Sequence, residues 1–110
     1  MTPTDRAAEI GAEDGRKAAE AWLKLPRWHA LDGADRWGLA VKDLDHGTIP
    51  AEWPIPDLSG VGTAWVRVAE PCGVDRNDPD AAILTIACAD AYSTAFTAAV
   101  EQTIREAVKS

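Results

Sequence analysis

Apolar residues recur every three or four positions along the first 25 residues, which is the spacing of an amphipathic helix. The resulting stripe consists of Ile10, Ala18, Ala21, Trp22 and Leu25. Thr2 can cap this helix, Pro3 suits its first position, and Asp5 completes a capping box. Pro26 removes a backbone donor and disfavours helical dihedrals in the preceding residue, so the helix is predicted to end near Leu25.

Small residues repeat every four positions along one edge of the same helix, at Ala7, Gly11, Gly15 and Ala19. A glycine inside a helix costs about 1 kcal/mol relative to alanine, so another interaction must compensate. Close approach of a second backbone is the usual compensation. We favour packing within the chain over a partner surface, because close-packed interiors are the commoner use of small residues.

The middle of the chain predicts a second helix followed by a proline-rich strap. Asp32 is a suitable cap and Gly47 a suitable end for this helix, whose apolar stripe is Trp37, Ala40, Val41 and Leu44. Three prolines within Pro50–Pro56 make that stretch largely extended. We expect it to lie across the helices with Trp53 and Ile55 buried. The alternative is a polyproline ligand for the aromatic groove of a partner.

The stretch 61–70 fits two patterns. A strand would explain the alternation of Ala64, Val66 and Val68. A helix capped by Thr63 would explain the spacing of Trp65, Val68, Ala69 and Cys72. We predict the short helix.

The last third of the chain predicts one long helix. Asp78 is a suitable cap and Pro79 suits the first position, and the apolar pattern continues to about Val108. Such a helix is roughly 45 Å long, whereas a spherical domain of this size is only about 34 Å across. One end must therefore protrude, bend or be covered by a second copy.

Composition supports a helical fold, since 21 of the 110 residues are alanine, the strongest helix former. The length suits one domain. The predicted fold is therefore all-α: a single helical domain over residues 1–110, with three to four helices, a long C-terminal helix and the proline-rich strap.

The charge balance excludes one class of function. Eighteen acidic and 11 basic residues give a net charge of −7, which disfavours direct nucleic-acid binding. Neither a secretory signal, a lipidation motif nor a membrane-spanning run is recognised in the sequence, so we expect a cytoplasmic protein. In that compartment the two cysteines are expected to be free thiols.

The sequence contains no motif that points to catalysis. His29 and His46 lack metal-ligating partners at helical spacing, so no metal is expected. Cys88 lies in an apolar run typical of inert packing, whereas Cys72 follows a proline in a turn and is expected to be more exposed. A small hydrolase would require Cys72 close to one of the histidines. We expect neither an enzyme nor a cofactor.

Five short segments occur in a recognisable order along the chain: Ile10–Trp22, Asp45–Gly47, Pro56–Gly60, Asp78–Asp80 and Asp90–Phe96. They resemble a group of small acidic proteins common in actinobacteria and their phages. The resemblance covers most of the chain. It implies an accessory protein of phage or mobile-element origin that works by binding a host protein.

The candidate partner-binding residues are Trp53 on the strap and Phe96, Val100 and Ile104 on the last helix. We expect the last helix to extend beyond the domain and to pair with a second copy, so that Val100→Glu would dissociate a homodimer. The predicted function is a non-enzymatic protein–protein interaction module that inhibits or modulates a host or defence protein. The alternative is an acidic DNA mimic or antitoxin-like protein that occupies the basic groove of a nucleic-acid enzyme.

Overall fold

The fold was obtained as a computed structural model, which describes residues 2–26, 53–58 and 60–109. Its helices are α1 (Pro3–Leu23), α2 (Val61–Ala64) and α3 (Ala81–Lys109), and a π-helical segment (Trp65–Ala69) continues α2. These parts of the chain hold no strand, which confirms the all-α prediction. The predicted second helix lies outside the described residues.

Helix α1 begins as the sequence predicts. The Thr2 hydroxyl accepts a hydrogen bond from the Asp5 backbone N–H, and the Asp5 carboxylate accepts one from the Thr2 backbone N–H. The helix ends at Leu23, two residues before the predicted end, and Leu25 is 39% exposed. The predicted stripe is therefore wrong in part, because Leu25 and Ala21 face solvent. The buried face of α1 is instead the edge of small residues, together with Trp22.

Helices α1 and α3 lie side by side and run in the same direction. Gly11 lies against the backbone of Tyr92, and one turn later Gly15 lies against the backbone of Phe96. A Cβ atom added at either glycine would lie 2.4 Å from the carbonyl oxygen it faces. The predicted backbone approach within the chain is thus confirmed.

Two hydrophobic clusters form the core, one towards each end of this helix pair. The carboxyl-end cluster contains Ala19, Trp22, Trp53, Phe96, Val100 and Ile104. The amino-end cluster contains Ala7, Val68, Ala69, Cys72, Val74 and Cys88. Tyr92 packs against both clusters and connects them.

The described part of the strap, residues 53–58, crosses from one cluster to the other. Trp53 is buried in the carboxyl-end cluster, Ile55 packs against it, and Leu58 packs against the amino-end cluster. The strap therefore runs antiparallel to α1 and α3. Burial of Trp53 confirms the expectation that the strap covers this protein's own helices.

The stretch 61–70 is helical, as predicted, but half of it is π-helix. A π-helix has a wider turn than an α-helix, with hydrogen bonds between residues five apart. That turn aligns Ala64 with Ala69, and both are buried together with Val68. The wider turn thus places two consecutive residues, Val68 and Ala69, in the core.

Helix α3 begins two residues later than the sequence predicts, but its predicted cap is present. The Asp78 carboxylate accepts a hydrogen bond from the Asp80 backbone N–H over 2.8 Å, and the Asp78 carbonyl accepts one from Ala81. Residues 78–81 form a tight turn that precedes the α-helix at Ala81.

We expect Asp78→Ala to lower the free energy of unfolding by about 1 kcal/mol, because a backbone N–H at the start of α3 loses its acceptor. Urea denaturation followed by circular dichroism would measure this loss. Asp78→Asn is the matched control, since its side-chain oxygen still accepts the bond, and its midpoint should stay close to that of the parent. Equal losses in both variants would contradict the capping role.

The molecule accommodates its long helix by being elongated. Its principal extents are 53 × 23 × 21 Å, and its radius of gyration is 15.8 Å. A compact domain of this length has a radius of gyration of about 13 Å. Because α1 and the strap lie along α3, the helix needs no second copy to cover its carboxyl-terminal half.

Candidate interaction surface

The structure brings the predicted partner-binding residues together, but it places them in the core. Trp53, Phe96, Val100 and Ile104 are 4%, 6%, 0% and 0% exposed and belong to the carboxyl-end cluster. The expected exposure of Phe96, Val100 and Ile104 is therefore wrong, whereas the burial of Trp53 agrees with the predicted packing of the strap. The small residues of α1 let that helix approach α3 closely, and this contact covers the side chains that were expected to need a partner. These side chains therefore do not need a second copy to shield them from water, which was the reason for expecting a dimer through this half of α3.

Other large apolar side chains are exposed at the opposite end of α3. Ile83 and Ile86 are 68% and 52% exposed, and Val61 at the start of α2 is 55% exposed. Val61 and Ile86 line the same depression. We call this surface the α2–α3 face; it consists of Val61, Trp65, Ala82, Ile83, Ile86 and Ala89.

Two shallow depressions lie on the α2–α3 face, and Val61 borders both. One, of about 330 Å³, is lined by residues that include Trp65, Ala82 and Arg76. The other, of about 150 Å³, is lined by residues that include Ile86, Ala89 and Asp90. Among the described residues that line them, each depression has one charged side chain. The guanidinium of Arg76 lies 5.8 Å from the centre of a Trp65 ring, within cation–π range.

Helical periodicity in the sequence does not distinguish this face from the buried one. At 100° per residue, Ile86 and Ile104 are 18 residues apart and lie on the same side of α3, yet Ile86 is 52% exposed and Ile104 is fully buried. Which of them is covered depends on where the neighbouring elements lie along α3. Helix α1 runs parallel to α3 with its small residues turned towards it.

Charged side chains elsewhere on the helices alternate in sign. Exposed ion pairs join Lys17 to Glu13 and Arg16 to Glu20 on α1, and Arg105 to Glu101 on α3. A nucleic-acid mimic needs rows of carboxylates at phosphate-like spacing. These pairs interrupt such rows on the surfaces they occupy.

Metal-binding and thiol chemistry find little support in the described ranges. No group of three or more histidine, cysteine or acidic side chains is placed there to hold a metal ion. Both histidines lie outside those ranges. Cys72 and Cys88 are free thiols buried in the amino-end cluster, so the expectation that Cys72 is exposed is wrong. Burial raises the pKa of both thiols, which lowers their reactivity.

A half-buried polar contact joins the middles of α1 and α3. The Tyr92 hydroxyl donates a 2.7 Å hydrogen bond to Asp14, and its ring lies 5.8 Å from that of Phe96. Burial and the Asp14 carboxylate together raise the pKa of Tyr92 well above its usual value. The contact fixes the register of the two helices between the clusters.

We expect Tyr92→Phe to lower the free energy of unfolding by about 1 kcal/mol at neutral pH, because Asp14 loses a hydrogen-bond donor.

The raised pKa of Tyr92 also makes its contribution to the free energy of unfolding depend on pH. Above pH about 10 the unfolded chain releases the phenol proton while the folded chain keeps it, so this stabilisation declines as pH rises towards the folded pKa. Denaturation at pH 7 to 11 would show a steeper loss above pH 10 in the parent than in Tyr92→Phe. Parallel curves would contradict the role of Tyr92.

Helix α3 is long and apolar enough to span a membrane by length and composition, although no membrane-spanning run was expected from the sequence. Only 22% of its most apolar 18-residue window is fully buried, but most other residues of α3 are half-buried. Helix α1, which carries two of the ion pairs above, lies along it. Among the described residues of α3, the exposed apolar ones are Ala82, Ile83, Ile86 and Ala98.

No known protein family, curated protein or solved structure matches this chain.

Proposed function

We propose that this protein is a non-enzymatic protein–protein interaction module that binds through the α2–α3 face. The observation that carries the proposal is the exposure of Val61 and Ile86 beside one depression, together with that of Ile83, which lies one helical turn before Ile86. Soluble proteins tend to reserve contiguous apolar surface for binding. Trp65, which lines one depression, is of the residue type most enriched at interface hot spots.

The chemistry of the face favours binding over catalysis. Its side chains are mainly apolar, and the charged residues Arg76 and Asp90 lie at its depressions. An apolar centre with charges towards the edge is the usual composition of a protein interface. The finer role that we propose is modulation of a host or defence protein in the cytoplasm, as the resemblance to actinobacterial and phage proteins implies.

Site-specific photo-crosslinking tests this function. A photoreactive amino acid replaces Ile83, which is 68% exposed, and in a control variant replaces Ala98, an exposed residue farther along α3. Irradiation of cells that natively encode the protein should give protein adducts from position 83 and far fewer from position 98. Equal yields from both positions, or no protein adduct from position 83, would refute binding through this face.

A further inference from the structure

We propose that the α2–α3 face binds a second copy of this chain, related by a two-fold axis that passes close to Ile86. The proposal rests on the proposed function, because it assigns an occupant to the same face. Symmetric pairing through one patch is the commonest arrangement among soluble oligomers, and it requires the patch to be complementary to itself.

The apolar part of the face meets this requirement. An antiparallel pair of α3 helices centred on Ile86 places Ile83 of each copy opposite Ala89 of the other, since the two positions are equally far from the centre. Ile83 is the most exposed large apolar side chain described. Ala89 lines the depression of about 150 Å³. The protruding side chain of each copy thus faces a recess in the other.

The charges of the face are complementary under the same rotation. Arg76 lines one depression and Asp90 the other, with Val61 between them. A two-fold axis near the centre brings Arg76 of each copy towards Asp90 of the other. The neighbouring Asp75 and Asp78 each accept a hydrogen bond from a backbone N–H of their own turn.

The rest of the molecule explains why this face is the one that pairs. The net charge of −7 makes two copies repel each other over most of their surfaces. The α2–α3 face is mainly apolar, and its exposed side chains Val61, Ile83 and Ile86 give a second copy apolar surface to cover. The face is small, so the dimer should be weak and should depend on concentration.

Charge reversal provides the test. Arg76→Asp and Asp90→Arg each place like charges in both symmetry-related contacts, so each variant should dimerise about tenfold more weakly by sedimentation equilibrium. In a mixture of the two variants both contacts again join opposite charges, so a mixed dimer should form with nearly the parent affinity. Glu9→Arg, an exposed change of the same size on α1, should leave the dimerisation of the parent unaltered or strengthen it slightly by reducing net charge.

The outcomes separate this proposal from the proposed function. A parent protein that stays at 11.8 kDa at high micromolar concentration would overturn the dimer, as would a mixture no tighter than the single variants. If position 83 then cross-links to a different protein in cells, the interaction function stands and only the second copy is wrong. If position 83 cross-links to no protein, both proposals fail.

Discussion

Gly15→Ala is expected to destabilise the protein by about 2–3 kcal/mol, although alanine is the better helix former by about 1 kcal/mol. The new Cβ would lie 2.4 Å from the carbonyl oxygen of Phe96, which is backbone and cannot rotate away. Helices α1 and α3 would have to separate along their length. Gly11→Ala should act in the same way, because its Cβ meets the carbonyl oxygen of Tyr92 at the same distance. Urea denaturation followed by far-UV circular dichroism measures both effects.

Gly62→Ala is the matched control for these two variants. Gly62 lies in α2, and a Cβ added there meets no atom within 4 Å. It should leave stability unchanged or raise it by up to about 1 kcal/mol. If all three variants were equally stable, the close approach of α1 to α3 would be disproved.

Val100→Glu is expected to abolish cooperative folding. Val100 is fully buried in the carboxyl-end cluster, and an uncompensated carboxylate in such a place costs about 3–5 kcal/mol, in addition to the lost apolar packing. A domain of this size has only about 5–15 kcal/mol to lose. From the sequence we expected this substitution to dissociate a dimer. Because Val100 is buried in the core, we now expect it to unfold the chain. Thermal unfolding followed by near-UV circular dichroism of the tryptophans distinguishes the two.

Ala98→Glu is the control for Val100→Glu, since Ala98 lies two residues earlier on α3 and is exposed. It should keep the unfolding transition of the parent within about 0.5 kcal/mol. A folded Val100→Glu variant of reduced mass would reinstate the original dimer and contradict the described core.

Local signals in the sequence were sufficient for the starts of α1 and α3. Thr2 and Asp5 form the expected capping box, and Asp78 caps the turn before α3. These signals succeed because a cap satisfies backbone donors only two or three residues away, so no distant residue has to be known. The expected cap Thr63 is wrong, since α2 begins after Gly60, which makes no side-chain capping hydrogen bond.

The candidate site could not be located in this way. The spacing of Phe96, Val100 and Ile104 in the sequence is the same whether α1, the strap or a second copy covers them. Their burial depends on how residues far apart in the chain meet, which helical periodicity does not encode. Ile86 shows the same limit: it falls on the same side of α3 as Ile104 at 100° per residue, yet it is 52% exposed whereas Ile104 is buried.

Helix propensity and nearest-neighbour signals were enough to predict the all-α fold, the capped beginnings of α1 and α3, and the close approach of a backbone to Gly11 and Gly15. That the approaching backbone is α3, running parallel to α1, became clear from the packing of the two helices. That contact buries the residues first expected to bind a partner and leaves the α2–α3 face exposed. The physical reason is that burial is a property of pairs of elements, whereas a sequence pattern records only one element at a time.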